Sequence, residues 1–124
     1  MAERGSIALT DVWLMAILRI AHEVSGSGGG EALRPALGRT GYATHRPNFT
    51  ASEVRALLAA HPQLLEDWLA YSEDKRTEGG WYVLRDGEIG QVLKPASQRS
   101  YASIEEAVAQ FIVRELDHWA GLPT

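Results

Sequence analysis

The chain has 124 residues, 45% of them hydrophobic and 23% charged, the size and make-up of one soluble domain. It contains no cysteine, which excludes disulfides, thiolate metal sites and cysteine nucleophiles. Twelve Lys and Arg against sixteen Asp and Glu leave a net charge of −4, unlike the clustered positive charge of a general nucleic-acid or anionic-membrane binder.

In chain order, a first helix is predicted over residues 10–24, with Thr10 as cap and Asp11 at the positive end of the helix dipole. Its apolar positions, from Val12 to Ala21, run nearly all the way round. Two sides therefore need cover, which makes this helix either central to the domain or half-buried against a second chain, a route to a homodimer. The apolar run at 12–18 is too short to cross a membrane and is bracketed by Asp11 and Arg19, so a cytoplasmic protein is expected. The Ser/Gly run at 25–30 reads as a flexible connector. Residues 31–49, punctuated by Pro35, Gly38, Gly41 and Pro47, read as a long irregular loop with one helical turn near Ala32.

Thr50 and Glu53 form a capping box that starts a helix through Leu58, and Pro62 ends it while opening another that runs to Ser72. A polar loop over 72–80 leads to the clearest strand signal, two apolar runs around Asp86-Gly87. A two-residue turn there places Arg85 opposite Glu88, Leu84 opposite Ile89, Val83 opposite Gly90 and Trp81 opposite Val92, with apolar side chains on both faces. Pro95 ends the second strand, and residues 96–101 offer a short third. Ser103 and Glu106 repeat the capping box before a last helix with one stripe, Ile104, Ala107, Val108, Phe111, Ile112, Glu115, Leu116 and Trp119, laid on the sheet and stopped by Gly121. The expected fold is α+β, four main helices packed around a β-hairpin or small antiparallel sheet.

Chemistry is sparse in this pattern. The glycines at 26–30 follow a helix and precede no Lys-Ser or Lys-Thr, so they lack the context of a phosphate loop. His22, His45, His61 and His118 stand far apart in sequence, and neither a metal nor a cofactor is expected. The adjacent carboxylates have structural roles or sit in self-compensating charge runs. Charge is uneven: residues 1–62 carry six arginines against five acids, residues 63–124 six basic residues against eleven acids. Of the tryptophans, Trp68 and Trp119 fall on helix stripes and belong to the core, while Trp13 and Trp81 are either core or anchors for a partner.

The stretch Ser72-Glu73-Asp74-Lys75-Arg76, then Gly80-Trp81-Tyr82 and a hairpin, then Tyr101-x-x-Ile104-Glu105-Glu106-Ala107 and Phe111-Ile112-x-x-Glu115-Leu116, resembles small bacterial domains, some of them similar to immunity proteins of polymorphic toxin systems. The similarity covers residues 68–119 and carries no catalytic residue. It implies a non-enzymatic protein-binding module that masks a cognate basic toxin. The contact residues expected on that reading are Glu73, Asp74, Glu78, Trp81, Tyr82, Asp86 and Glu88. The alternative is an enzyme or binder for an anionic small molecule, gripped by Arg39, His45 and Arg46 in the segment 34–46.

Overall fold

The computed structural model describes residues 9–24, 30–75 and 79–123. The fold is α+β. Helices α1 (Leu9–Leu18) and α2 (Ile20–Glu23) are followed by α3 (Leu33–Thr40), α4 (Tyr42–His45), α5 (Ala51–Ala60) and α6 (Pro62–Asp74). Strands β1 (Trp81–Val83), β2 (Glu88–Gln91) and β3 (Lys94–Ser100) form one antiparallel sheet in that order, and α7 (Ile104–Ala120) closes the chain.

The central helix is α7, whereas the sequence pattern favours the first. α7 packs against the sheet, α3, α4, α5 and α6. Beside its expected stripe it buries a second one, Ala109, Val113 and Asp117, and only a helix covered on most sides can do so. α1 instead buries one side, Leu14, Ile17 and Leu18, and leaves Val12 and Ala16 exposed. Its boundary with α2 has a local cause. The His22 amide bonds the carbonyl of Arg19, three residues back, and the Leu18 carbonyl accepts the buried Trp68 indole N–H at 2.9 Å. The side chain of Thr10 and residues 25–29 of the connector lie outside the described residues.

The segment 31–49 is helical, not an irregular loop. Leu33, Ala36 and Leu37 recur at helical spacing and are buried, and Pro35 falls in the first turn of α3, where a missing N–H removes no helix bond. Gly41 ends α3 in the left-handed conformation, φ +68°, returning its N–H to the Gly38 carbonyl. The buried apolar side chains and this glycine cap outweigh the breaker composition of the segment. The capping box at Thr50 is present, its Oγ1 accepting from the Glu53 amide and the Glu53 carboxylate accepting from the Thr50 amide. The Ser103 hydroxyl likewise accepts the Glu106 amide at 3.1 Å, while the Glu106 carboxylate accepts from Gln110.

The hairpin register differs by one residue from the two-residue turn. Trp81 lies opposite Gln91, Tyr82 opposite Gly90 and Val83 opposite Ile89. Leu84 donates to the Glu88 carbonyl and accepts from Gly87, so the loop is Arg85, Asp86 and Gly87, with Gly87 at φ +97°. This is the three-residue alternative with a left-handed glycine at its third position. The one-residue slip puts Trp81, Val83 and Ile89 together on the face that packs on α7, so one face of the hairpin is buried rather than both. The β2–β3 turn is Val92-Leu93, and β3 starts earlier than expected and contains Pro95, as an edge strand permits.

Candidate functional site

Antiparallel pairing turns Gly80, Tyr82 and Leu84 toward β2, which leaves the backbone of Trp81 and Val83 pointing out of the sheet at the β1 edge. Side chains seal that edge completely. The Trp81 amide donates to Glu115 Oε1 at 2.6 Å, and the Trp81 carbonyl accepts from Lys75 Nζ at 2.6 Å. The Val83 amide donates to Ser72 Oγ at 2.9 Å, and the same hydroxyl donates to the Val83 carbonyl at 3.0 Å.

Glu115 and Lys75 form a buried ion pair, Nζ to Oε2 2.7 Å, with side chains 0% and 4% exposed. The Tyr71 hydroxyl donates to Glu115 Oε2 at 2.6 Å, and Lys75 also donates to the Gly79 carbonyl. Every polar atom of the glutamate is thus engaged. Burial, reinforced by the carboxylate beside it, pushes the Tyr71 hydroxyl far above the ordinary tyrosine range. A second buried carboxylate, Asp117, accepts from the Tyr42 hydroxyl at 2.6 Å and from Arg46 Nε at 2.9 Å. Tyr42 is raised in the same way, by burial first and then by Asp117. Sequence reasoning gave neither cluster a role, although an acid on the apolar stripe of the last helix was the available signal for Glu115.

The expected contact residues separate into groups. Glu73 and Asp74 are exposed on the last turn of α6, which runs two residues past the expected end at Ser72. Glu66, a turn and more earlier, is exposed beside them. Arg85 at the hairpin tip donates Nε to Glu73 at 2.8 Å and Nη1 to Glu66 at 3.2 Å, tying the turn to the helix. Its guanidinium holds the Glu73 carboxyl below the usual range. Asp86 is exposed and its carboxylate accepts the Glu88 amide at 3.0 Å; Glu88 in turn accepts from the Tyr82 hydroxyl at 2.7 Å. The Tyr82 ring lies against Gly90, where a Cβ would come within 2.6–2.8 Å of it, so a side chain at that position would force the ring to move. Trp81, by contrast, is 6% exposed and stacks under the Arg114 guanidinium, 5.1 Å from its ring centroid. It is a core residue, not a surface anchor, because the register turns it onto α7. Glu78 lies outside the described residues.

Arg39, His45 and Arg46 do not converge on one ligand position. Arg39 pairs with Glu23, His45 stacks on Trp13 with centroids 4.1 Å apart and planes 11° apart, and Arg46 engages Asp117 and the Phe49 carbonyl. Three neighbours in sequence thus serve three contacts between elements. Trp13 is half-buried in that cluster and also packs on Phe49. Among the described residues no group of three His, Asp or Glu side chains is arranged to hold a metal ion, and no helix is long and apolar enough to cross a membrane. Comparison with protein-family models, curated proteins and solved structures finds no match to the chain.

Proposed function

We propose that the protein is a non-enzymatic protein-binding module, an immunity-type inhibitor that masks a basic, toxic partner through the acidic face of α6 and the hairpin tip. The observation that carries this reading is how the carboxylates are presented. Glu66, Glu73 and Asp74 stand on one helix, Asp86 and Glu88 on the adjoining hairpin, and Arg85 bridges the two. Ser72 fastens β1 to the same helix. Five carboxylates and one guanidinium therefore sit on elements held in fixed relation. Such a preorganised negative surface speeds encounter with a positive one and fixes its orientation. Because the Arg85 and Tyr82 contacts already restrain several of these side chains, less entropy is lost when a partner docks. Leu84, 44% exposed at the hairpin tip, supplies the apolar contact that the buried Trp81 does not.

The test is capture of a basic protein from the source cells by the tagged protein, compared with the triple variant D74K, D86K and E88K. These positions leave the tie between Arg85, Glu66 and Glu73 intact. A specific basic protein retained by the parent, lost by the variant and released as salt shortens the screening length from about 10 Å at 0.1 M to about 3 Å at 1 M is the expected result. Equal retention by both proteins refutes the acidic face.

A further inference from the structure

Ten described cations divide sharply by environment. Seven are exposed, Arg46 and Arg114 are half-buried, and the Lys75 side chain is buried. Two of those three meet a carboxylate: Lys75 meets Glu115 at 2.7 Å, and Arg46 meets Asp117 at 2.9 Å. Arg114 meets none within ion-pair distance among the described residues. Its one hydrogen bond is long, Nη2 to Gln110 Oε1 at 3.4 Å, and its Nε is sealed from water with no acceptor. Stacking on Trp81 holds the guanidinium plane in place but satisfies no N–H. The sealed Nε is closed to a ligand as it is to water, but the Nη groups carry further N–H donors that an acceptor can reach.

Arg114 borders a pocket of about 280 Å³, lined also by Arg46, Ala51, Gln110, Val113, Asp117 and Pro123. Among the described lining residues Asp117 is the only carboxylate, and its Oδ1 is already shared by Tyr42 and Arg46. Ala51, the first residue of α5, also lines the space, and the end of that helix is already capped by Thr50 and Glu53. Two guanidinium groups against one carboxylate leave the described lining of this cavity with one surplus positive charge, that of Arg114, on a protein of net charge −4.

We propose that this pocket is a binding site for a small oxyanion, a phosphate or a carboxylate, held chiefly by the Nη donors of Arg114, with those of Arg46 not taken by Asp117 and Phe49 adding to them. The planar fork matches either group in two-point fashion. The volume lies just below the range of about 300–1,000 Å³ usual for drug-sized ligands, which fits a compact anion. The site is independent of the acidic face, and its failure would leave that reading untouched.

Titration of ¹⁵N-labelled protein with inorganic phosphate, and separately with succinate, tests it at constant ionic strength maintained with chloride. The expected result is saturable movement of the Arg114 Nε–H signal and of the Gln110 and Ala51 amides at millimolar anion. R114M weakens binding at least tenfold, whereas R55Q, outside the pocket, does not. Should R114M lose its dispersed spectrum, Q110A and R46K provide the comparison, each expected to weaken binding several-fold. Saturation by phosphate alone assigns the phosphate class; saturation by succinate, alone or as well, assigns carboxylates. Shifts that rise linearly without saturating for both anions, or saturable binding unchanged in the folded pocket variants, overturn the proposal.

Discussion

Removing the charge of Glu115 tests the buried ion pair directly. Glu115→Gln keeps the shape of the side chain but leaves the Lys75 ammonium, 4% exposed, without a counter-charge. The amide NH₂ must also face either the Trp81 amide or the Lys75 and Tyr71 donors, because all three donate to this carboxylate in the parent. Breaking one side of a buried pair costs about 3–5 kcal/mol, against a total stability of about 5–15 kcal/mol for a domain. At roughly 3–4 °C per kcal/mol for a chain of this length, Tm falls by about 10–20 °C. Lys75→Met leaves the opposite charge stranded and costs a similar amount. The double variant removes both charges, so its cost is smaller than the sum of the two by about 1–3 kcal/mol of coupling. Urea unfolding followed by tryptophan fluorescence measures all three. A loss below about 1 kcal/mol in Glu115→Gln, or additivity in the double variant, refutes the assignment of the pair as the joint between α6, α7 and β1.

The Ser72 hydroxyl serves both outward groups of Val83, so Ser72→Ala costs about 1–3 kcal/mol and hastens hydrogen exchange at the Val83 amide; unchanged exchange there refutes the sealed edge. A Cβ at Gly30 would collide with the indole of Trp119, so Gly30→Ala forces overpacking worth about 1–3 kcal/mol and shifts the Trp119 emission, and a neutral outcome in thermal melts argues against this close approach. In alkali, Tyr42 and Tyr71 have folded pKa values raised above the ordinary value near 10, so their stabilising effect is complete below that pH and declines as pH rises beyond it. Their tyrosinate absorbance therefore develops together with the loss of circular dichroism; ionisation of all four tyrosines while the dichroism stays native contradicts this.

Much of the helical framework is readable from short-range signals. Thr50 with Glu53, Pro62, Ser103 and Gly121 mark the starts and stops of α5, α6 and α7, because a cap is made between residues a few positions apart. The acidic character of α6 and the hairpin is equally visible, since charge does not depend on the fold. Tertiary packing decided the rest. Asp86-Gly87 suits a two-residue or a three-residue hairpin turn, and burial of Trp81, Val83 and Ile89 on α7 selects between them. The helicity of residues 33–45 rests on Leu33, Leu37 and Tyr42 reaching the core, against a local composition that favours turns. Lys75 finds Glu115 40 positions away, and Arg46 finds Asp117 71 positions away. Nothing local in either sequence neighbourhood encodes such a partner, since the desolvation that makes each pairing necessary exists only after the helices have packed.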